Sequence, residues 1–177
     1  MRPTDPIQIS QVEDFPTAAF AACDFSFDIS QAIAFPYDDP RQLHPVPSRR
    51  KDYGGDPADW DGAASGWKAL FIARSNDHVV GYAMMSEYWN GMADLAEIAV
   101  DRRARGRGVA AALLARVEVC ADDKGFGLIR LETQSNNPAA CRVYARAGYT
   151  LGGFDHKLYA DGPHEGEVAL FWYKDLR

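Results

Sequence analysis

The stretch Val100–Cys120 reads VDRRARGRGVAAALLARVEVC, and its two parts differ sharply in character. Four arginines and two glycines fall within the seven residues from Arg102 to Gly108, and mostly apolar residues follow. Those apolar residues recur at helical spacing, which predicts a helix from about Val109 that ends near Gly125. The preceding residues read as a strand ending at Val100. The arginine–glycine stretch is therefore predicted to be a turn between a strand and a helix.

A turn of this kind suits an anion. The first N–H groups of a helix lack partners within the helix, and the helix dipole adds partial positive charge there. Glycines let the backbone curl tightly and let a ligand approach closely. These features predict a phosphate cradle. It is not a P-loop, because no Lys-Ser or Lys-Thr follows the glycines, and it does not have the GxGxxG pattern. The alternative is a solvated turn whose arginines serve solubility.

The charge balance narrows the function classes. The chain has 177 residues and a formal net charge of −6, so the four arginines of the turn form a small basic spot in an acidic chain. A nucleic-acid-binding domain usually presents a broad basic face, and none is evident here. We therefore expect no nucleic-acid partner, but a compact anionic ligand at the turn and a cationic ligand elsewhere.

The remaining composition predicts an ordinary globular protein. With 47% apolar and 25% charged residues, the chain fits a single domain spanning 1–177. No apolar run approaches the roughly 20 residues of a membrane span, and no signal peptide is evident, so we expect a cytoplasmic protein. Its three cysteines lack CxxC spacing and its four histidines are scattered, which favours free thiols and no metal site.

The order of predicted elements is strands, helix, strand, helix, strands, which indicates an α/β or α+β domain with a mixed sheet. The second helix is predicted to begin with Asn137 as N-cap and Pro138 at its first position, and to end at Gly148. Segment 36–66 is rich in proline, glycine and aspartate and is predicted to form long surface loops.

Two motifs resemble the GNAT superfamily of N-acetyltransferases. Arg103–Gly108 matches the Arg/Gln-x-x-Gly-x-Gly/Ala motif of that superfamily, after the expected strand. The superfamily's second signature is matched by Asn137, Ala140, Tyr144, Gly148 and Tyr149. The resemblance implies a mostly antiparallel sheet flanked by helices and splayed open where acetyl-CoA, the acetyl donor, binds.

From about residue 48 to 173 the chain is similar to streptothricin acetyltransferases. The similarity rests on RLETQSNNPAACRVYARAGYTLGGFDHKLY, on a late GEVALFWY, and on the triplets Lys51-Asp52-Tyr53 and Tyr88-Trp89-Asn90. Enzymes of this family acetylate an amine of the β-lysine part of a cationic antibiotic. The resemblance thus implies a small cationic amine as acceptor, and it leaves a homodimer open.

The resemblance also implies site residues. Tyr144 matches the acid that protonates the departing CoA thiolate, although it also suits a core position. Asn137 matches a contact to the pantetheine arm and equally suits a helix cap. Backbone N–H groups around Ile98 to Val100 are expected to bind the oxyanion. The residues expected to bind acetyl-CoA are Ile98, Ala99, Val100, Arg103, Arg105, Gly106, Arg107, Gly108, Val109, Asn137, Ala140 and Tyr144.

The residue that acts as the general base follows less directly from the resemblance. Streptothricin acetyltransferases carry Glu followed by Asp or His in the strand before the turn, whereas this chain has Ala96-Glu97. Because a strand alternates faces, Glu97 replaces a carboxylate at position 96 only from a bulged strand; otherwise another carboxylate such as Asp94 is needed. We expect Glu97 to be the base, the alternative being an ordinary strand carboxylate paired with an arginine.

Acceptor binding and overall activity keep alternatives. The loop aspartates Asp56, Asp59 and Asp61 are expected to line the mouth of the acceptor site, unless they form a solvated loop. Besides a small amine, the acceptor of an N-acetyltransferase can be a protein lysine or N-terminus. The alanine at position 96 also leaves open a non-catalytic acetyl-CoA-binding module.

Overall fold

The structure is a computed structural model that describes residues 6–13, 16–52, 68–162 and 164–177. The elements follow one another as β1 (Ile7–Val12), α1 (Thr17–Phe20), β2 (Phe27–Ile33), β3 (Leu43–Lys51), β4 (Ala69–Ser75), β5 (His78–Glu87), β6 (Ala93–Val100), a 3-10 helix (Arg102–Ala104), α2 (Val109–Asp123), β7 (Leu128–Gln134), α3 (Pro138–Arg146), β8 (Thr150–Asp155) and β9 (Ala169–Asp175).

The chain divides into two compact units. The first unit runs to Phe27, resumes over residues 52–129 and includes the last two residues, whereas the second unit comprises residues 28–51 and 130–175. Among the described residues, no helix is long and apolar enough to cross a membrane.

In the first unit, strands pair antiparallel in the order β1-β4-β5-β6. A tight hairpin turn joins β4 and β5, and its residues Asn76 and Asp77 both have left-handed φ values, of 47° and 63°. Helix α2 packs closely on one face of these strands. A Cβ built on Gly81 would lie 3.3 Å from Cγ1 of Val109 and 2.7 Å from the carbonyl oxygen of Ala99, so only glycine fits there.

The face of this sheet opposite α2 carries an apolar cluster, which we call the second apolar cluster to distinguish it from the side chains that contact α2. Its buried members are Phe20, Leu70, Ile72, Val79, Tyr82 and Met84, and Phe25 packs against them partly buried. The short helix α1 contributes Phe20 to this cluster. The sheet of the first unit is therefore covered on both faces, which explains why β4 is almost entirely buried.

In the second unit, β9 lies between β7 and β8, and β8 pairs with β9 antiparallel. Helix α3 begins as predicted, because the Asn137 side chain accepts a hydrogen bond from the Ala140 N–H at 3.2 Å and Pro138 occupies the first turn. Gly148, at φ 89°, follows the helix end. The expected α+β architecture with mostly antiparallel pairing is confirmed.

The prediction that 36–66 is only loop was wrong for one part. Residues Leu43–Lys51 form β3, which pairs with β2 as a separate two-stranded sheet. Pro45 and Pro47 argued against a strand because proline has no N–H to donate. Alternate residues direct their N–H groups to the same side, so both prolines can face away from β2, as proline does on edge strands.

Candidate active site

The turn after β6 has the geometry of an anion cradle. Gly106 and Gly108 have left-handed φ values of 76° and 81°, which glycine adopts readily. A Cβ built on either glycine would meet no described atom within 4 Å, so the space in front of the turn is open. Gly108 is the N-cap of α2, and in the described part of the chain no side chain caps this helix. Its first N–H groups can therefore serve an anionic ligand.

The arginine side chains of this turn hydrogen-bond to the protein. Arg103 forms a fork with the buried Asp101 carboxylate, at 3.1 Å from Nε to Oδ1 and 3.0 Å from Nη2 to Oδ2. Arg105 donates from Nε to the carbonyl oxygen of Val100 at 3.1 Å. Arg107 donates from Nη2 to Oγ of Ser75 at 3.3 Å. These three arginine side chains therefore stabilise the turn through hydrogen bonds within the protein.

Strand β6 contains a bulge at Ala96. Glu97 pairs with Met84 and Leu95 pairs with the next β5 residue, Met85, so that Ala96 is the extra residue. Directly opposed residues of antiparallel strands point to the same face. Asp94, which pairs with Ser86, therefore shares a face with Glu97. Without the bulge these two carboxylates would point to opposite faces, so the bulge turns Glu97 to the face that position 96 would otherwise occupy.

Glu97 sits beside an apolar and aromatic surface. Its face of the sheet also carries Tyr82 and Met84, which belong to the second apolar cluster. The side chain is half-buried, and burial raises the pKa of the Glu97 carboxyl to about 7. Burial first, and then the negative charges of Glu97 and Asp52, raise the pKa of the Tyr82 hydroxyl. A carboxyl with a pKa near 7 can accept and release protons at neutral pH.

The backbone beyond the bulge is regular, and it directs some N–H groups away from β5. The Asp101 N–H donates to the carbonyl oxygen of Val80 on β5 at 2.9 Å. Because N–H groups alternate along a strand, those of Ile98 and Val100 point away from β5, whereas that of Ala99 points toward it. Ile98 and Val100 are therefore the better placed of the three predicted oxyanion donors.

Tyr144 lies on α3 in the second unit and is 5% exposed. Its ring centroid lies 6.1 Å from that of Tyr149 and 6.5 Å from that of Trp172. Cys141, one turn before it, is buried, and burial raises the pKa of its thiol to about 12, so this thiol is packing rather than a nucleophile. Asn137 caps the helix, as one of its two predicted roles requires.

Two polar clusters of the second unit were not predicted. Tyr159 donates a hydrogen bond to Glu132 and accepts one from Gln134 Nε2 at 2.8 Å; burial and the bond to Glu132 raise the pKa of its hydroxyl. The buried Glu167 carboxylate bonds to Lys51 and, at 2.6 Å, to Arg49. The only sequence signal was that Lys51, Tyr159 and Glu167 lie in the segments resembling streptothricin acetyltransferases.

Two further predictions concern acceptor and metal sites. Asp56, Asp59 and Asp61 lie outside the described residues. Within the described ranges, no three His, Cys, Asp or Glu side chains are grouped so that they could hold a metal ion.

Known proteins resemble this chain along most of its length. Residues 31–149 match the model of the acetyltransferase (GNAT) family. The streptothricin acetyltransferase of Escherichia coli is 36% identical over 152 residues, covering 85% of this chain and 77% of that protein. Streptothricin acetyltransferase A of Bacillus subtilis strain 168 is 34% identical over 123 residues, covering 70% of this chain and 71% of that protein.

Solved structures show the same fold. A Bacillus anthracis protein assigned as a streptothricin acetyltransferase, solved with acetyl coenzyme A, superimposes with a TM-score of 0.81 at 27% identity, covering 96% of this chain and 99% of that one. Nourseothricin acetyltransferase gives a TM-score of 0.78 at 26% identity, covering 97% and 99% of the two chains. This chain therefore belongs to the GNAT acetyltransferase family and is an acetyl-CoA-dependent N-acetyltransferase.

Proposed function

We propose that the enzyme acetylates a primary amine of a small cationic acceptor, and that the β-lysine arm of streptothricin is this acceptor. The observation that carries the proposal is the 36% identity to the Escherichia coli streptothricin acetyltransferase over 85% of the chain. The face that carries Glu97 also carries the Asp94 carboxylate. Two carboxylates on one face favour a cation over a neutral or anionic acceptor.

Donor binding is assigned to the turn after β6. The pyrophosphate of acetyl-CoA is held by backbone N–H groups from Arg105 to Val109, where the glycines leave open space. The arginines add positive charge to this turn, and Asn137 and Ala140 contact the pantetheine arm. Acetyl-CoA supplies the acetyl group as a thioester.

The chemistry begins with deprotonation of the acceptor. An alkyl ammonium has a reference pKa of about 10.4, so it must lose a proton before its nitrogen can attack. Glu97 takes this proton, directly or through one water, and its pKa of about 7 lets it act near neutral pH. The nitrogen then forms a bond to the thioester carbonyl carbon, and negative charge develops on the carbonyl oxygen.

Three groups complete the transfer, two at the oxyanion and one at the leaving thiolate. The N–H groups of Ile98 and Val100 donate to the oxyanion, because they are the predicted donors that point away from β5. Breaking the carbon–sulfur bond then releases the CoA thiolate, which takes a proton from the Tyr144 hydroxyl. The nitrogen still carries one extra proton after the attack; it releases this proton to solvent, and Tyr144 regains its proton from solvent. The products are then the neutral acetylated amine and free CoA.

An acceptor screen tests the proposal. Purified protein is incubated with acetyl-CoA and with streptothricin, free β-lysine, spermidine or a lysine peptide, and release of the CoA thiol is followed. Rapid release with streptothricin and slower release with free β-lysine is the expected result. Turnover of lysine peptides with none of streptothricin or β-lysine would overturn the assignment of the acceptor and favour a protein substrate.

A further inference from the structure

Arg103 and Arg105 reach a part of the chain that lies far from them in sequence. Their partners are carbonyl oxygens of residues 22–26, which follow α1 and are called the 22–26 segment below. Arg103 donates from Nη2 to the carbonyl oxygen of Ala22 at 2.6 Å. Arg105 donates from Nη2 to the carbonyl oxygen of Phe25 at 2.7 Å. Each guanidinium thus ties the turn after β6 to this segment.

Backbone groups reinforce the connection in both directions. The Arg102 N–H donates to the carbonyl oxygen of Asp24 at 2.7 Å. In return, the Asp24 N–H donates to Oδ2 of Asp101 at 2.9 Å. Asp101 is 3% exposed and also receives the Arg103 fork described above, so it joins the segment to the turn at one buried carboxylate.

The 22–26 segment also covers the sheet face that carries Glu97. The Phe25 ring packs edge-on against Tyr82, with ring centroids 5.4 Å apart and an interplanar angle of 84°. It also contacts Phe20, at 5.8 Å between centroids. Tyr82 lies on the same face as Glu97. A continuous set of contacts therefore runs from the glycine turn through the 22–26 segment to the surroundings of Glu97.

We propose that Arg103 and Arg105 are positioning residues, whose side chains hold the 22–26 segment in place over the face of Glu97. This inference rests on the proposed function only in taking that face as the acceptor side. Arginine suits the task because its planar fork lets Arg105 bridge the carbonyl oxygens of Val100 and Phe25 at once. A lysine carries a single nitrogen and cannot reproduce this geometry. Donor binding at the turn and acceptor binding over the sheet are thereby coupled.

A kinetic comparison separates positioning from phosphate binding. We expect Arg105→Gln to raise the Michaelis constant for the acceptor about fivefold or more, the scale of a typical coupling. The acetyl-CoA dissociation constant should rise by a smaller factor than the acceptor constant does, since the phosphate contacts are assigned to backbone groups and the arginine adds only its charge. Arg105→Lys should resemble Arg105→Gln, because it keeps the charge but loses the bridge.

Arg116→Gln is the matched control, since Arg116 is an exposed arginine on α2 and the change removes the same charge. Both constants should remain at wild-type values in this variant. A weakened acetyl-CoA affinity in Arg105→Gln, restored by Arg105→Lys and with an unchanged acceptor constant, would make Arg105 a phosphate ligand and overturn the proposal. Arg103→Gln repeats the test at the Ala22 carbonyl.

Amide hydrogen exchange tests the same connection without turnover. Acetyl-CoA should slow exchange of the Asp24 amide in the wild type, and this slowing should be reduced in Arg105→Gln. Slowed exchange without turnover of any amine would refute the proposed function and leave the positioning role supported. An equal slowing in wild type and Arg105→Gln would refute the positioning role and leave the proposed function intact.

Discussion

Tyr82 and Glu97 lie on one face of the β5–β6 hairpin. Burial is the larger cause of the raised pKa of the Tyr82 hydroxyl, and the negative charge of the Glu97 carboxylate is the next. The relationship depends on the bulge at Ala96, which brings Glu97 to this face. It places the candidate base against an apolar surface rather than in open solvent. The titration of Glu97 is therefore a direct measure of the candidate site.

Activity should follow the ionisation of Glu97. Because burial raises the pKa of Glu97 to about 7, kcat/KM should rise with pH through about 7 in the wild type. Glu97→Gln should lower kcat by about 10²-fold or more and remove this limb of the profile. Glu87→Gln is the control, since Glu87 ends β5 with its side chain 46% exposed and should keep the wild-type profile. An unchanged rate in Glu97→Gln would pass the role to another group.

The pH dependence of the free energy of unfolding should also report the ionisation of Glu97, and its direction follows from the raised pKa. The pKa of Glu97 is raised from 4.5 to about 7 in the folded state, so the folded state holds its proton more tightly than the unfolded state. The wild type should lose stability as pH rises from about 4.5 to about 7, and the loss should level off above that window. Glu97→Gln should lack this loss and be more stable than the wild type at pH 8. Urea unfolding at several pH values measures both curves, and parallel curves would contradict the expectation.

Gly106→Ala should weaken acetyl-CoA binding. The added methyl group occupies the open space in front of the turn, where the phosphate is expected. Loss of one charge-assisted hydrogen bond, about 1.5–3 kcal/mol, corresponds to about 10- to 100-fold in the dissociation constant. Gly91→Ala is the matched control, because Gly91 also has a positive φ, of 84°, and open space around it. Titration calorimetry that finds both variants equal to the wild type would remove the turn from the donor site.

Tyr144→Phe should lower kcat by about 10²-fold, because only the proton for the thiolate is lost. The acetyl-CoA dissociation constant should be nearly unchanged. Tyr149→Phe serves as control, since Tyr149 is a buried tyrosine in the same unit whose ring centroid lies 6.1 Å from that of Tyr144. Full activity in Tyr144→Phe would return this side chain to a purely structural role.

Glu167→Gln should destabilise the second unit strongly. The side chains of Glu167 and Lys51 are only 2% and 7% exposed, so removal of the carboxylate leaves a buried ammonium without its counter-charge. Breaking a buried pair in this way costs about 3–5 kcal/mol in the free energy of unfolding. Asp39→Asn, which removes the carboxylate partner of the exposed Arg41, should change stability little. Equal effects of both changes in thermal unfolding would contradict the buried pair's role.

Local features of the fold were predictable from the sequence because their signals lie close together in the chain. Helix α2, the cap of α3 at Asn137 and the β4–β5 turn each follow from a few adjacent residues. The bulge was one of the two alternatives that the sequence left open, since the Ala96-Glu97 pair is displaced by one position from the carboxylate of the resembling family; the other alternative was a different carboxylate such as Asp94. Strand β3 was missed because the prolines in it gave the opposite local signal.

Contacts between distant residues were not predictable. Arg105 bonds to a carbonyl group 80 residues away, and Lys51 bonds to a carboxylate 116 residues away. A backbone carbonyl has no signature in the sequence, so the arginines of the turn showed only their charge. That charge suggested phosphate binding. The structure shows that the side chains of Arg103 and Arg105 also donate hydrogen bonds to carbonyl oxygens of the 22–26 segment.

The bulge at Ala96 separates two kinds of equivalence between related enzymes. The bulge adds one residue to the strand, so each later residue is displaced by one position in the sequence. Glu97 therefore occupies the place above the sheet that position 96 would occupy in a regular strand. A carboxylate can therefore move from one aligned column to its neighbour while it keeps its place above the sheet. Relatives with and without this extra residue should be superimposed by strand face, and a relative that lacks a carboxylate in one column is not thereby inactive.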